Sequence, residues 1–185
     1  MKKPIVMFFV IAICGQAFGA GHDPKVIIPL LKTSKISLLQ GIAYAEKTSG
    51  PATSAKFEVG DDGKLALSIY TVPEGLRVQP ENATLTEISG AASEGYPGLK
   101  AEVFTDKEHI ARASVHMTLF QLSKANLIQV IARALRIQPG IPIDVRNPMV
   151  QNHRAVAEVV IVGKGMNVYN IKIDLQSGQS LIRKN

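Results

Sequence analysis

Cysteine is nearly absent. The 185 residues contain one, Cys14, which excludes a disulfide scaffold, a Cys-x-x-Cys redox centre and a cysteine-rich zinc site. Tryptophan is missing and aromatics make up 5% of the chain, too few for a large aromatic face or a stack of base-reading rings. No charge of one sign dominates: 21 basic against 15 acidic residues give +6. The basic residues (Lys56, Lys64, Lys100, Arg112, Arg133, Arg136, Arg146, Lys164, Arg183) are dispersed along the chain, so they read as a solvated surface rather than a nucleic-acid stripe. Apolar residues at 46% and charged residues at 19% exclude a disordered or collagen-like chain.

Motifs for chemistry are missing too. There is no Gly-x-Ser-x-Gly, no His-x-x-x-His and no glycine loop placed to cradle a phosphate. His109 and His116 are seven apart and would share a face if helical, but a metal needs three or four converging ligands. His22 and His153 stand alone. The carboxylates Asp61, Asp62, Glu102, Asp106 and Glu108 read as exposed hairpin or loop charge. Asn82-Ala83-Thr84 matches a glycosylation acceptor, a pattern that arises often by chance. No catalytic, cofactor-binding or metal-binding residue is assigned, and the chain is expected not to be an enzyme.

What is present begins at the N-terminus. Lys2 and Lys3 precede an apolar run, Ile5 to Cys14, and the small residues Gly15, Ala17, Gly19 and Ala20 follow. The run is too short to span a bilayer and matches a secretory signal peptide over residues 1–19. Ala17 and Gly19 meet the small-residue requirement for a cut after Gly19; a second choice cuts before Phe18. Lipidation of Cys14 wants a small residue before it, and Ile13 is not small. Removing the leader takes away Lys2, Lys3 and Cys14 and leaves a charge of +4. No later stretch approaches a membrane span, so a soluble periplasmic or secreted protein is expected.

The remainder reads as two repeated units. Leu39-Gln40-Gly41-Ile42-Ala43-Tyr44-Ala45 and Ile128-Gln129-Val130-Ile131-Ala132-Arg133-Ala134 lie 89 residues apart and share Gln, Ile, Ala and Ala at identical places. Both have the i, i+3, i+4 spacing of one buried helical stripe. Ser37 with Gln40, and Asn126 with Gln129, predict capping boxes, though the second helix could start at Ser123. Gly50-Pro51 and Pro139-Gly140 stop the helices, and the period then changes to two. Leu65 to Tyr70, Ala155 to Val162 and Val168 to Ile173 read as strands, with hairpin turns at Asp61-Asp62-Gly63 and Gly163-Lys164-Gly165. Ser89-Gly90 and Ser177-Gly178 predict a closing turn in each unit. Glu102 to Met117 fits neither helix nor strand well. The expectation is an α+β fold of two units, each a helix on a three-to-four-stranded antiparallel sheet. They cover 34–92 and 123–185, with 93–122 as connector.

The second unit resembles a PepSY domain. The resemblance rests on the helix spacing of Gln129, Ile131, Ala132 and Ala134, the stop at Pro139-Gly140, the strand with Tyr169, and the ending Asp174, Ser177, Gly178. The first unit is similar more weakly, with Thr86 where Asp is expected and an insertion around Pro73 to Asn82. The resemblance implies a non-enzymatic protein that binds an envelope or secreted partner, a protease among the candidates, with no cofactor and no nucleic acid. The alternative is a small-ligand or metal-binding periplasmic sensor module. Partner binding would use a strand edge, with Ala155–Val162 and Leu65–Val72 as candidates.

Overall fold

The computed structural model describes residues 23–75, 77, 84–123 and 125–181. The leader 1–19 with its cut, Cys14, His22, Asn82-Ala83, Ile182 and Arg183 lie outside the described residues.

The fold is α+β. Its elements in chain order are α1 (Pro24–Leu30), α2 (Leu38–Ser49), β1 (Ala52–Val59), β2 (Leu65–Thr71), β3 (Leu85–Ala91), β4 (Lys100–Phe104), α3 (Lys107–Ser123), α4 (Leu127–Ile137), β5 (Ile141–Val145), β6 (Met149–Gln151), β7 (Arg154–Val162) and β8 (Val168–Asp174). Both predicted capping boxes form. The Gln40 N–H donates to Ser37 Oγ at 3.2 Å and the Ser37 N–H to Gln40 Oε1 at 2.8 Å. The Gln129 N–H donates to Asn126 Oδ1 at 2.8 Å and the Asn126 N–H to Gln129 Oε1 at 3.2 Å. Each box satisfies donors that a first helical turn leaves free. Ser123 is the last residue of α3 rather than the first of α4.

The eight strands form one antiparallel sheet rather than two. Its path runs β4-β3-β2-β1-β5-β7, with β6 and β8 both on β7. The halves meet where β1 pairs with β5, a seam of two residue pairs, Ala55 with Val145 and Lys56 with Asp144. Cross-strand partners share a face, so register assigns every side chain. Ala101, Ile88, Ile69, Ala55, Val145, Val159 and Ile171 are successive partners across seven strands. That row is apolar, and α2 and α4 pack on its face through Leu38, Ile42, Leu127 and Ile131, all essentially buried. Each such side chain contributes about 1.5–3 kcal/mol by leaving water. The neighbouring row, on the other face, is Lys100, Ser89, Ser68, Lys56, Asp144, Val160 and Asn170.

Two expectations are corrected here. Ser89-Gly90 is not a turn: both residues sit inside β3, paired with Ser68 and Leu67. Gly90 is required there by a close approach, since a Cβ would lie 2.0 Å from the Gly98 carbonyl oxygen. The turn comes at Ala92–Glu94 and ends on Gly95 (φ +71°), as Leu175–Ser177 ends on Gly178 (φ +71°). In each half the residue entering that turn donates back to the start of a strand: Ala92 N–H to Leu65 O at 2.9 Å, and Leu175 N–H to Ala155 O at 2.8 Å. Second, neither proposed edge strand is an edge. β2 lies between β1 and β3, and β7 lies between β5 and β8, because the most apolar strands bury best with neighbours on both sides.

The stretch 93–122 contains β4 and α3. α3 lies over one corner of the polar face, where Ala113 and Met117 pack against Val72 and Leu85, with Tyr70 and Phe104 beside them.

Candidate functional site

Helices α2 and α4 cover one face of the sheet, α3 covers one corner of the other, and α1 borders the cleft described below. The polar face carries alternate residues of β1, β5, β7 and β8, and its centre is a lattice of opposite charges. Lys56 Nζ lies 2.7 Å from Glu58. Arg146 reaches Asp144 at 3.2 Å and Glu158 at 2.9 Å. Lys172 Nζ donates to Gln151 Oε1 at 3.2 Å. The ion pairs are partly exposed, so each is worth at most about 1 kcal/mol to stability.

Beyond the two-pair seam β1 and β5 separate, and a cleft of about 240 Å³ opens. Lys56, Asp144, Arg146 and Asn170 supply its polar wall; Pro24, Ile27, Phe57, Ile143, Val160 and Val168 supply its apolar wall. It is smaller than the roughly 300–1,000 Å³ of ordinary ligand pockets. The face around it is larger: β1, β5, β7 and β8 at about 4.8 Å spacing make it roughly 15 Å wide, beside the corner that α3 covers.

Nearer α3, the Ser68 hydroxyl donates to the Glu87 carboxylate. Burial, and then the Glu87 charge, push the Tyr70 hydroxyl up to about 12, so it remains a hydrogen-bond donor at any physiological pH.

The sequence-derived residues fall elsewhere. Pro139 is exposed and accepts from Gln138 Nε2 at 3.1 Å. Gly140 leads into β5 against the Val162 carbonyl, which a Cβ would meet at 2.4 Å. Asp174, Ser177 and Gly178 form one turn. Asp174 Oδ1 accepts from the Gln176 and Ser177 N–H groups at 2.9 and 3.0 Å, and Oδ2 lies 3.5 Å from Arg154. The Ser177 N–H, foremost among these, holds the Asp174 carboxyl below the usual range although the side chain is buried. Gly178 sits against the Arg133 guanidinium, 2.8 Å from where its Cβ would be. These contacts build a turn; they do not meet the charge lattice.

His109 pairs with Asp106 at 2.6 Å and stacks on Phe104 with ring centroids 4.8 Å apart. His116 is half-buried, and desolvation, with Arg112 nearby, lowers it to about 4. Among the described residues no group of three or more His, Cys, Asp or Glu side chains could hold a metal. The His116 shift predicts a pH effect. A histidine held neutral by folding contributes stability that is full above its ordinary value near 6.5 and falls as pH drops toward 4. Chemical denaturation of wild type and His116→Gln at neutral pH and near pH 4.5 should show a smaller acid loss in the variant. Equal losses would contradict the assignment.

Sequence reasoning took Arg146 for dispersed surface charge and missed Asp144 and the whole of β5, where Pro142 argues against a central strand. The structure accommodates it beside a register shift between Pro142 and Asp144, beyond the two pairs that join β5 to β1. The available signal was charge at alternate positions, Lys56 with Glu58 and Asp144 with Arg146.

No protein-family model matches the sequence, and no curated protein matches it. Among solved structures the chain is similar to a candidate lipoprotein from Clostridium difficile 630. They are 18% identical over 80% of this chain and 92% of that one, with a TM-score of 0.40, a likeness that carries no functional argument. Among the described residues no single helix is long and apolar enough to cross a membrane.

Proposed function

We propose that this is an exported, PepSY-like binding protein without enzymatic activity, and that it recognises an envelope or secreted protein on the polar face of its sheet. One observation carries the reading: half-buried and exposed polar side chains (Lys56, Asp144, Arg146, Glu158, Asn170) lie on both sides of the seam between the two halves, opposite α2 and α4, on a face wider than the cleft within it. A surface of that width fits a protein better than a small ligand. The PepSY part is supported by a helix followed by β1, β2 and β3 in the first half and by β5, β7 and β8, with the short β6 between them, in the second, and by two capping boxes 89 residues apart. The leader supports export. A secreted protease remains the partner class that the resemblance suggests.

Cross-linked capture from the native envelope tests this. Asn170 is exposed and lines the cleft. Asn170→Trp should reduce capture at least tenfold with an unchanged unfolding midpoint. Capture equal to wild type would remove the polar face as the contact, and hydrolysis of an envelope substrate by the purified protein would remove the non-enzymatic reading.

A further inference from the structure

We propose that β4 is a self-pairing edge, through which two copies of this chain form an antiparallel dimer with a continuous sheet. Among the described residues β4 ends the strand order and pairs only with β3, from Lys100 opposite Ser89 to Phe104 opposite Leu85. Lys100, Ala101, Glu102 and Val103 are all exposed, Val103 by 57%. Such an edge presents unpaired backbone donors and acceptors. The other end of the sheet is different: Ser180 bridges to Ile173, and the Leu181 N–H donates to the Lys172 carbonyl, so the chain covers part of the β8 edge itself.

Charge selects a second copy as the occupant and fixes the register. Placing Ala101 opposite Ala101 of another copy sets Lys100 opposite Glu102 twice, and Leu99 opposite Val103 twice. Leu99 is already extended (φ −83°, ψ 130°), so the strand continues through it. Moving the centre to Glu102 would set two carboxylates against each other, which is unfavourable. Glu102 also lies directly opposite Glu87 on β3, a like-charged pair that an incoming lysine would relieve. With the two-fold axis normal to the sheet, both polar faces point the same way, and their binding surfaces become one. The self-pairing rests on the β4 edge alone and does not require the polar face to bind a partner.

Two measurements on the full chain test it. In sedimentation velocity over a hundredfold concentration range, wild type should move from monomer to dimer. Glu102→Lys should weaken association at least tenfold, and the exchanged pair Lys100→Glu with Glu102→Lys should restore it. With Cys14 replaced by serine, Ala101→Cys should form an intermolecular disulfide at least tenfold faster than Val103→Cys, whose sulfurs would be four residues out of register. A wild type that stays monomeric throughout, an exchanged pair that stays as weak as the single variant, or equal cross-linking at both positions would overturn the proposal.

Discussion

Gly90→Val is expected to destabilise the protein by about 3 kcal/mol, enough to remove a large share of a domain's net stability. The cause is not strand propensity, which favours valine. A Cβ at position 90 would lie 2.0 Å from the Gly98 carbonyl oxygen and 2.9 Å from its carbon. Those are backbone atoms of the 95–98 turn, which is held by the Gly98 N–H on the Gly95 carbonyl at 3.1 Å, so no side-chain rotation can make room. Either β3 leaves β2 or the turn leaves β3. Urea unfolding measures the loss; a change below about 0.5 kcal/mol, the range of neutral surface substitutions, would mean the turn relaxes freely.

Asp174→Ala is expected to cost about 1–2 kcal/mol, because the backbone N–H groups of the exposed residues Gln176 and Ser177 lose a charged acceptor held by a buried side chain. Asp174→Asn keeps one acceptor oxygen and should cost less than half as much. The pH dependence has a definite sign. The folded carboxyl lies below its ordinary value, so its contribution is complete above an unfolded value of about 3.9 and is lost as pH falls through the folded one. Comparing the stability gap between wild type and Asp174→Ala at neutral and at strongly acidic pH checks this: the gap should shrink in acid. A gap that stays constant would assign the cost to shape rather than charge. In the first half Ala91 stands at the corresponding place before Gly95, so that turn is built without the carboxylate.

Features that were legible in the sequence are local ones. Ser37 with Gln40 and Asn126 with Gln129 announce helix starts because their side chains bond to backbone only three residues away. Asp61-Asp62-Gly63 announces a hairpin for the same reason, with the Lys64 N–H on Asp62 Oδ1 at 3.0 Å. Leu65, Leu67 and Ile69 announce a buried strand face by period alone. What was not legible depends on distant parts of the chain. Ser-Gly at 89–90 carries a turn signature, yet its glycine answers to the approach of Gly98. The seam joins Lys56 to Asp144 across nearly half the chain, and no local pattern encodes that pairing. The polar face is a property of register, so it emerges only once the strands are ordered. α3 gave a weak signal because it buries just Ala113, Met117 and Phe120 along its length and otherwise carries mixed residues outward.

Site-specific photo-cross-linking in the native envelope tests the central claim most directly. A photoreactive residue at Asn170 would stand on the polar face, and one at Lys47 would stand on exposed α2, which packs on the opposite face. The account predicts a discrete protein adduct from position 170 and none from position 47. An adduct from position 47 alone would place recognition on the helical side and contradict the account.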